Sequence, residues 1–373
     1  MGSSSGDSAR LVSLDQYRGY TVLGMFVVNF LSVYAVVPAV LKHHNTYCSY
    51  ADTIMPQFFF AAGMAARLTW VRRAADGRVP ALRRALRRNL GLILLGLLLY
   101  GLDVPVTRWD RLRELGPWGV LTQGFQREPF QTLVHLGVTG LWTLPVLGAP
   151  PRVRGLFLVA SAGLHLGLSW RFYYEWVWHR PGIDGGPLGF LSWTIPYLAG
   201  TLALDAVARP GGGLRVRPLA WWAVGLMVLG YGLACLNRVT PPHDPSAAGQ
   251  QGLAGLLVEP PFVPPGQPVN LWTMSQRTGS VSYQVFAAGL SLAVYAGFRA
   301  ACDGAGWRVH YLDLLGRHAL AGYVLHGAFT EALGWCRVRE VPAWVALTAL
   351  AVSVIAVTVC LRVLDRRGIF LRL

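Results

Sequence analysis

Acidic residues are scarce in this chain of 373 residues: 18 Asp and Glu stand against 33 Lys and Arg, and charged residues of both signs make up only 14%. A soluble domain carries about 25% charge, so an ordinary water-soluble globule is excluded. Cysteine is also rare, and the five present lack the spacing of a zinc or haem site; no metal is expected. Cys235, Cys302 and Cys360 fall in or at apolar runs as small fillers, whereas Cys48 and Cys336 lie in connections where oxidation is possible. No His-Glu-x-x-His, Gly-x-Ser-x-Gly or Walker-type loop occurs, which removes the zinc-protease, α/β-hydrolase and nucleoside-triphosphatase readings. Internal repeats and coiled-coil heptads are missing. No cleavable signal is expected, because the first apolar run is too long and lacks a cleavage pattern.

What the chain has is apolar sequence, 53% of its residues. A helix crosses the hydrocarbon core with about 20 residues. Runs of that kind are read near 19–41, 53–71, 89–105, 129–147, 154–170, 189–205, 218–236, 281–300, 311–333 and 342–362. The expected fold is an all-α integral membrane protein with about ten transmembrane helices and both termini cytoplasmic. Residues 1–9 read as a disordered lead or cloning remnant, and residues 10–373 as a single polytopic domain. Orientation follows from the basic residues, which resist translocation. The connections and tail that ten spans place inside hold 21 Lys and Arg, the opposite side holds 11, and Arg317 sits just within a helix. The basic excess therefore reflects topology rather than a nucleic-acid footprint. Three connections are long: the Arg-rich 71–88 inside, and 103–128 and 237–280 outside. Trp170, Tyr173, Tyr174, Trp176 and Trp178 read as an aromatic interfacial belt.

Polar groups within such helices are costly and mark function. Asp15 and Arg18 stand three apart on one helix face, either as an interfacial ion pair or as part of a cytoplasmic anion site. Asn29 lies about 15 Å further along the same helix, as helix–helix glue or as a hydrogen-bond donor within a site. His43 and His44 follow the helix exit, and Asp52 opens the second helix with Pro56 in or next to its first turn. Asp52 suits an N-cap, and a carboxylate near a histidine also orients an imidazole and raises its basicity; spacing alone does not separate these roles. His135, His165 and His310 read as structural or interfacial, while His326 is placed to face the site.

At these residues the sequence resembles the heparan-α-glucosaminide N-acetyltransferase family and its shorter bacterial relatives. The opening Ser-x-Asp-x-x-Arg-Gly matches Ser13, Asp15, Arg18 and Gly19, and Val-Asn matches Val28 and Asn29. Asp-Leu-Val-Phe-Pro-x-Phe-x-Phe-x-x-Gly matches at Asp52, Pro56, Phe58, Phe60 and Gly63. Gly119 to Gln123 echoes a Gly-Val-Leu-Gln element, and Ser192 to Pro196 fits Ser-Thr-Ile-Pro with one insertion. Asn270, Leu271, Trp272, Thr273 and Ser275 match Asn-Lys-x-Leu-Trp-Thr-x-Ser in a form two residues shorter. Gly306-Trp307-Arg308 and Gly316 to Tyr323 resemble the closing segment, with His318 in place of the usual Asn.

The resemblance implies a transmembrane acyltransferase that takes an acetyl group from cytoplasmic acetyl-CoA and gives it to an amino sugar of glucosamine type on the opposite side. It implies an essential histidine between the helix-1 Asn and the helix-2 Asp. His43 lies fourteen residues after Asn29 and nine before Asp52, a better fit than His44, although the usual His-x-x-Trp-Asn-Gly context has become His43-His44-Asn45-Thr46-Tyr47-Cys48. The expected catalytic set is His43, Asp52, Asn29 and His44. The expected donor-binding set is Arg18, Asp15, Asn270, Trp272, Ser275 and His326. A straight helix would hold Asn29 and His43 about 21 Å apart, so a break is expected, with Pro38 as its place. A homodimer and a bacterial inner membrane are further expectations. The competing readings are an O-acyltransferase acting on sugar hydroxyls, and a transporter of a glycan or lipid precursor.

Overall fold

The computed structural model describes residues 11–75, 77–100, 106–126, 130–179, 184–208, 214–239, 255–332 and 338–371. The described residues hold helices and no strand. The first seven helices are α1 (Val12–Leu31), α2 (Ile54–Ala74), α3 (Arg78–Tyr100), α4 (Trp109–Gln126), α5 (Thr132–Trp142), α6 (Leu144–Leu147) and α7 (Pro151–Leu168). A π turn at Ser169–Tyr173 carries α7 into α8 (Tyr174–Trp178). Then come α9 (Phe190–Val207), α10 (Val216–Cys235), α11 (Val281–Phe298), α12 (His310–Arg317), α13 (Ala319–Ala332) and α14 (Ala343–Arg366).

Among the described residues, five stretches are long and apolar enough to cross a membrane: Pro151–Trp178, Phe190–Val207, Val216–Val239, Val281–Gly304 and Ala343–Arg366. Large apolar side chains point outward from α3 (Leu90, Leu94, Leu98), α7 (Leu156, Val159), α10 (Trp221, Val228) and α14 (Leu347, Ile355). Water-soluble monomers rarely expose apolar surface on that scale; lipid accepts it. The chain is an integral membrane protein.

Without water to drive association, membrane helices join by close backbone packing at small residues. A Cβ on Gly63 would lie 1.9 Å from Tyr197 O, and one on Gly200 2.0 Å from Phe60 O, so α2 and α9 touch backbone to backbone. Gly19 against Leu312 O (2.0 Å) and Gly316 against Asp15 O (2.1 Å) join α1 to α12 in the same way. Around the first contact, Phe59, Trp193, Tyr197 and Tyr283 form one aromatic core. Tyr17, Phe60 and Tyr295 form another on α1, α2 and α11.

Three details depart from the sequence reading. Helix 1 covers 12–31 rather than 19–41, because after Leu31 the backbone enters successive turns (Tyr34 N–H to Leu31 O, 3.1 Å; Val37 N–H to Tyr34 O, 3.4 Å). The break therefore precedes Pro38. The segment read as a long connection at 103–128 holds α4, interrupted at Gly116 (φ 60°), which precedes Pro117. Cys48 is a buried free thiol, while Cys336 falls outside the described residues.

Candidate active site

The site is built by the turn that replaces the end of helix 1. Because the chain reverses between Leu31 and Asp52, His43 returns to the helix it has just left. Its Nε2 lies 3.3 Å from Asn29 Oδ1 and its Nδ1 2.8 Å from Asp52 Oδ1. The His43 side chain keeps 35% exposure, whereas Asp52 is 1% exposed. Asp52 is held by a second device. Ser49 N–H and the Ser49 hydroxyl both donate to Asp52 Oδ2 at 2.9 Å, and Asp52 N–H donates back to Ser49 Oγ at 3.2 Å. This is the reciprocal pairing of a capping box, legible in the sequence as Ser-x-x-Asp, so the cap belongs to Ser49 and leaves one carboxylate oxygen for the imidazole. The backbone of Asp52 is fixed too, since the Tyr283 hydroxyl donates to its carbonyl at 2.6 Å.

Electrostatics at His43 are a contest. Burial disfavours the charged imidazolium, but the hydrogen bond and the charge of Asp52, joined by the charge of Asp184, prevail and raise the pKa above its usual value. As an imidazolium, His43 donates to both Asp52 and Asn29. As a neutral ring with its proton on Nδ1, it keeps the Asp52 bond and turns a lone pair on Nε2 towards Asn29, whose amide must then present its NH2. That is a base whose free nitrogen faces a neutral hydrogen-bond donor.

Asp184 is the residue the sequence reading missed. It is 3% exposed and accepts a hydrogen bond from Gln276 Nε2 at 2.8 Å, while its backbone carbonyl accepts from the Trp193 indole. Only the fold carries it to His43, across a sequence separation that no local spacing reveals. The available clue was the run Asp184-Gly185-Gly186, whose two glycines take positive φ (85° and 62°) and so mark a tight turn.

A cavity of about 410 Å³ lies between α2, α3, α5 and α13. Arg18, Arg84 and Arg88 line it with the alanines Ala62, Ala65 and Ala66, and Tyr323 and Thr132 also belong to its wall. Among the described residues neither Arg84 nor Arg88 forms an ion pair. Beside it, Arg67 and the fully buried Arg154 share the Asp205 carboxylate, which ties α2, α7 and α9 together. Thr132 Oγ1 and Gln276 Nε2 both approach Met55 Sδ at 3.7 Å. Met55 therefore stands between the cavity and the Asp184–Gln276 pair.

The other expected residues are distributed as follows. Arg18 lines the cavity and sits 3.8 Å from Asp15. His44 Nε2 contacts Ala39 O at 2.8 Å and its ring stacks on Tyr47, so it shapes the turn. Ser275 donates to Asn45 O at 2.6 Å, which fastens the His43 loop from across the bundle. Asn270 accepts from Trp272 N–H (2.9 Å) and donates to Asn237 O (3.3 Å); both Asn270 and Trp272 belong to the loop that precedes α11, away from the cavity wall. His326 is buried in a parallel stack on Phe26. No group of His, Cys, Asp and Glu suited to a metal ion occurs among the described residues.

No curated protein matches the chain. Residues 10–169, which carry α1 to α7 and with them Asn29, His43, Asp52 and the cavity arginines, match the family model described as heparan-alpha-glucosaminide N-acetyltransferase, catalytic, so this part of the chain is similar to that acyltransferase family.

Proposed function

We propose that this protein crosses the membrane about ten times with both termini inside, and moves an acetyl group from cytoplasmic acetyl-CoA to the amine of an amino sugar on the other side. One observation carries the reading: His43 bridges Asn29 and Asp52, the arrangement an acyl-transfer base requires. The cavity fits the donor in outline. Arg84 and Arg88, unneutralised by carboxylates, suit phosphates, and the alanine-lined wall suits a slender apolar arm. Acetyl-CoA supplies the activated carbonyl. Asp52 holds the imidazole with Nδ1–H towards its carboxylate, so that Nε2 takes a proton from the attacking amine. The amine nitrogen bonds to the acetyl carbon, the carbon–sulfur bond breaks, and the imidazolium returns the proton to the departing thiolate. An Asn29 N–H donated to the carbonyl oxygen would favour the charge that develops there.

The test compares His43→Ala and His44→Ala by thiol release with glucosamine as acceptor. His43→Ala should lose about 10²–10⁴-fold in rate while His44→Ala keeps turnover. The reverse pattern would transfer the role to His44, and equal activity in both would remove a histidine mechanism.

A further inference from the structure

At the end of the bundle that holds His43, the turn after α1 creates a second recess. Ala35 N–H donates to Arg339 O at 2.8 Å, which fastens the approach to α14 onto this turn. The result is an open recess of about 430 Å³ lined by Ser32, Val33, Ala35, Lys42 and Arg339. Lys42 Nζ lies 3.4 Å from Ala35 O. Among the described residues neither Lys42 nor Arg339 has an ion-pair partner. Arg84 and Arg88 share this feature, whereas Arg67, Arg154, Arg299, Arg308 and Arg317 each meet a carboxylate. Two like charges that share one recess repel, and an oxyanion between them removes that cost.

The rim says what carries the anion. Val33, Val36 and Val40 are 38%, 46% and 36% exposed on the same turn. Trp344, two residues beyond Pro342 at the start of α14, is 69% exposed. Apolar side chains and an exposed indole around a cationic pocket describe a membrane boundary, the level at which lipid head groups lie. We infer that Ser32, Lys42 and Arg339 form a binding recess for a lipid-borne phosphate. The recess adjoins the His43 site through two links: Lys42 precedes His43 in the chain, and the Ser32 hydroxyl donates to Asn29 O at 3.0 Å. The phosphate belongs either to a bilayer phospholipid or to a lipid-linked acceptor; the second source rests on the acetyltransferase reading above.

The test uses the full chain in nanodiscs of phosphatidylcholine with phosphatidic acid, wild type beside a Lys42→Gln/Arg339→Gln variant. These substitutions leave the Arg339 carbonyl and its backbone bond in place, and a thermal melt checks the fold. Retention of phosphatidic acid is read by native mass spectrometry. The wild type should retain it over phosphatidylcholine, and the variant should lose about tenfold or more. Equal retention by both proteins overturns the inference. A second arm measures KM for glucosamine and glucosamine 6-phosphate in phosphatidylcholine alone. A preference for the phosphorylated sugar that the variant loses, with lipid retention unchanged, overturns the lipid-borne reading in favour of a soluble phosphate. Lost lipid retention with both KM values unchanged assigns the recess to bilayer phospholipid. Lost retention together with a raised KM for the phosphorylated sugar assigns it to the acceptor's phosphate. Absence of all transfer by the wild type refutes the acetyltransferase reading and leaves the lipid measurement standing.

Discussion

Replacement of Asp52 by Asn should inactivate the protein without unfolding it. The carboxylate accepts on both oxygens: Ser49 N–H and hydroxyl on Oδ2, and His43 Nδ1 on Oδ1. An Asn at this position can keep the two Ser49 bonds only if its carbonyl faces Ser49, which turns its NH2 towards His43. An NH2 group cannot accept a hydrogen bond, so the imidazole must present a bare Nδ1 and carry its proton on Nε2. The nitrogen meant to act as base is then occupied. General-base assistance contributes about 10²–10⁴-fold, or about 2.7–5.4 kcal/mol at 1.36 kcal/mol per decade, and kcat should fall by that factor. Loss of the Asp52 charge also removes the larger part of what raises the His43 pKa, leaving only Asp184, so the acid limb of any residual activity should move to lower pH. The assay is thiol release with glucosamine between about pH 5 and 9, the range in which histidine titrates, with a thermal melt as fold control. A variant that keeps more than about a third of wild-type kcat, far inside the span expected of a lost base, with an unmoved acid limb, would refute the orienting role.

Three further outcomes follow from the same geometry. Arg84→Gln/Arg88→Gln should raise KM for acetyl-CoA by about tenfold or more with little change in kcat, because these side chains line the cavity, whose wall does not include His43; an unchanged KM would place the donor elsewhere. Gly63→Ala should cost about 1–3 kcal/mol, since its Cβ would meet Tyr197 O at 1.9 Å, whereas Gly225→Ala, with nothing within 4 Å, should be neutral or slightly stabilising in the same melting assay. The raised pKa of His43 also makes stability pH-dependent. The stabilising contribution is fully present below the ordinary histidine value of about 6.5 and is lost as pH rises through the higher folded value. The difference in melting temperature between wild type and His43→Gln should therefore shrink on going from acid to alkaline buffer, and a constant difference would contradict the pairing.

The chain's own order of residues settled the class of molecule. Apolar runs of bilayer length and few charges admit a helical membrane protein and little else, because lipid cannot satisfy an unpaired backbone. The order Asn29, His43 and Asp52 was legible as chemistry, whereas Arg84 and Arg88 read only as part of a basic connection until the fold set them on the cavity wall. Sequence could not close the distance between Asn29 and His43. A hydrophobic run extends to residue 41, yet the helix stops at Leu31 and the chain turns back. That reversal depends on contacts from afar, such as Ser275 on Asn45 O and Arg339 O on Ala35 N–H. Asp184 lay hidden for the same reason: its role at His43 is electrostatic and through space. Local pattern fixes which segments enter the membrane; only tertiary packing decides which polar atoms meet inside it, because those meetings join residues far apart in the chain.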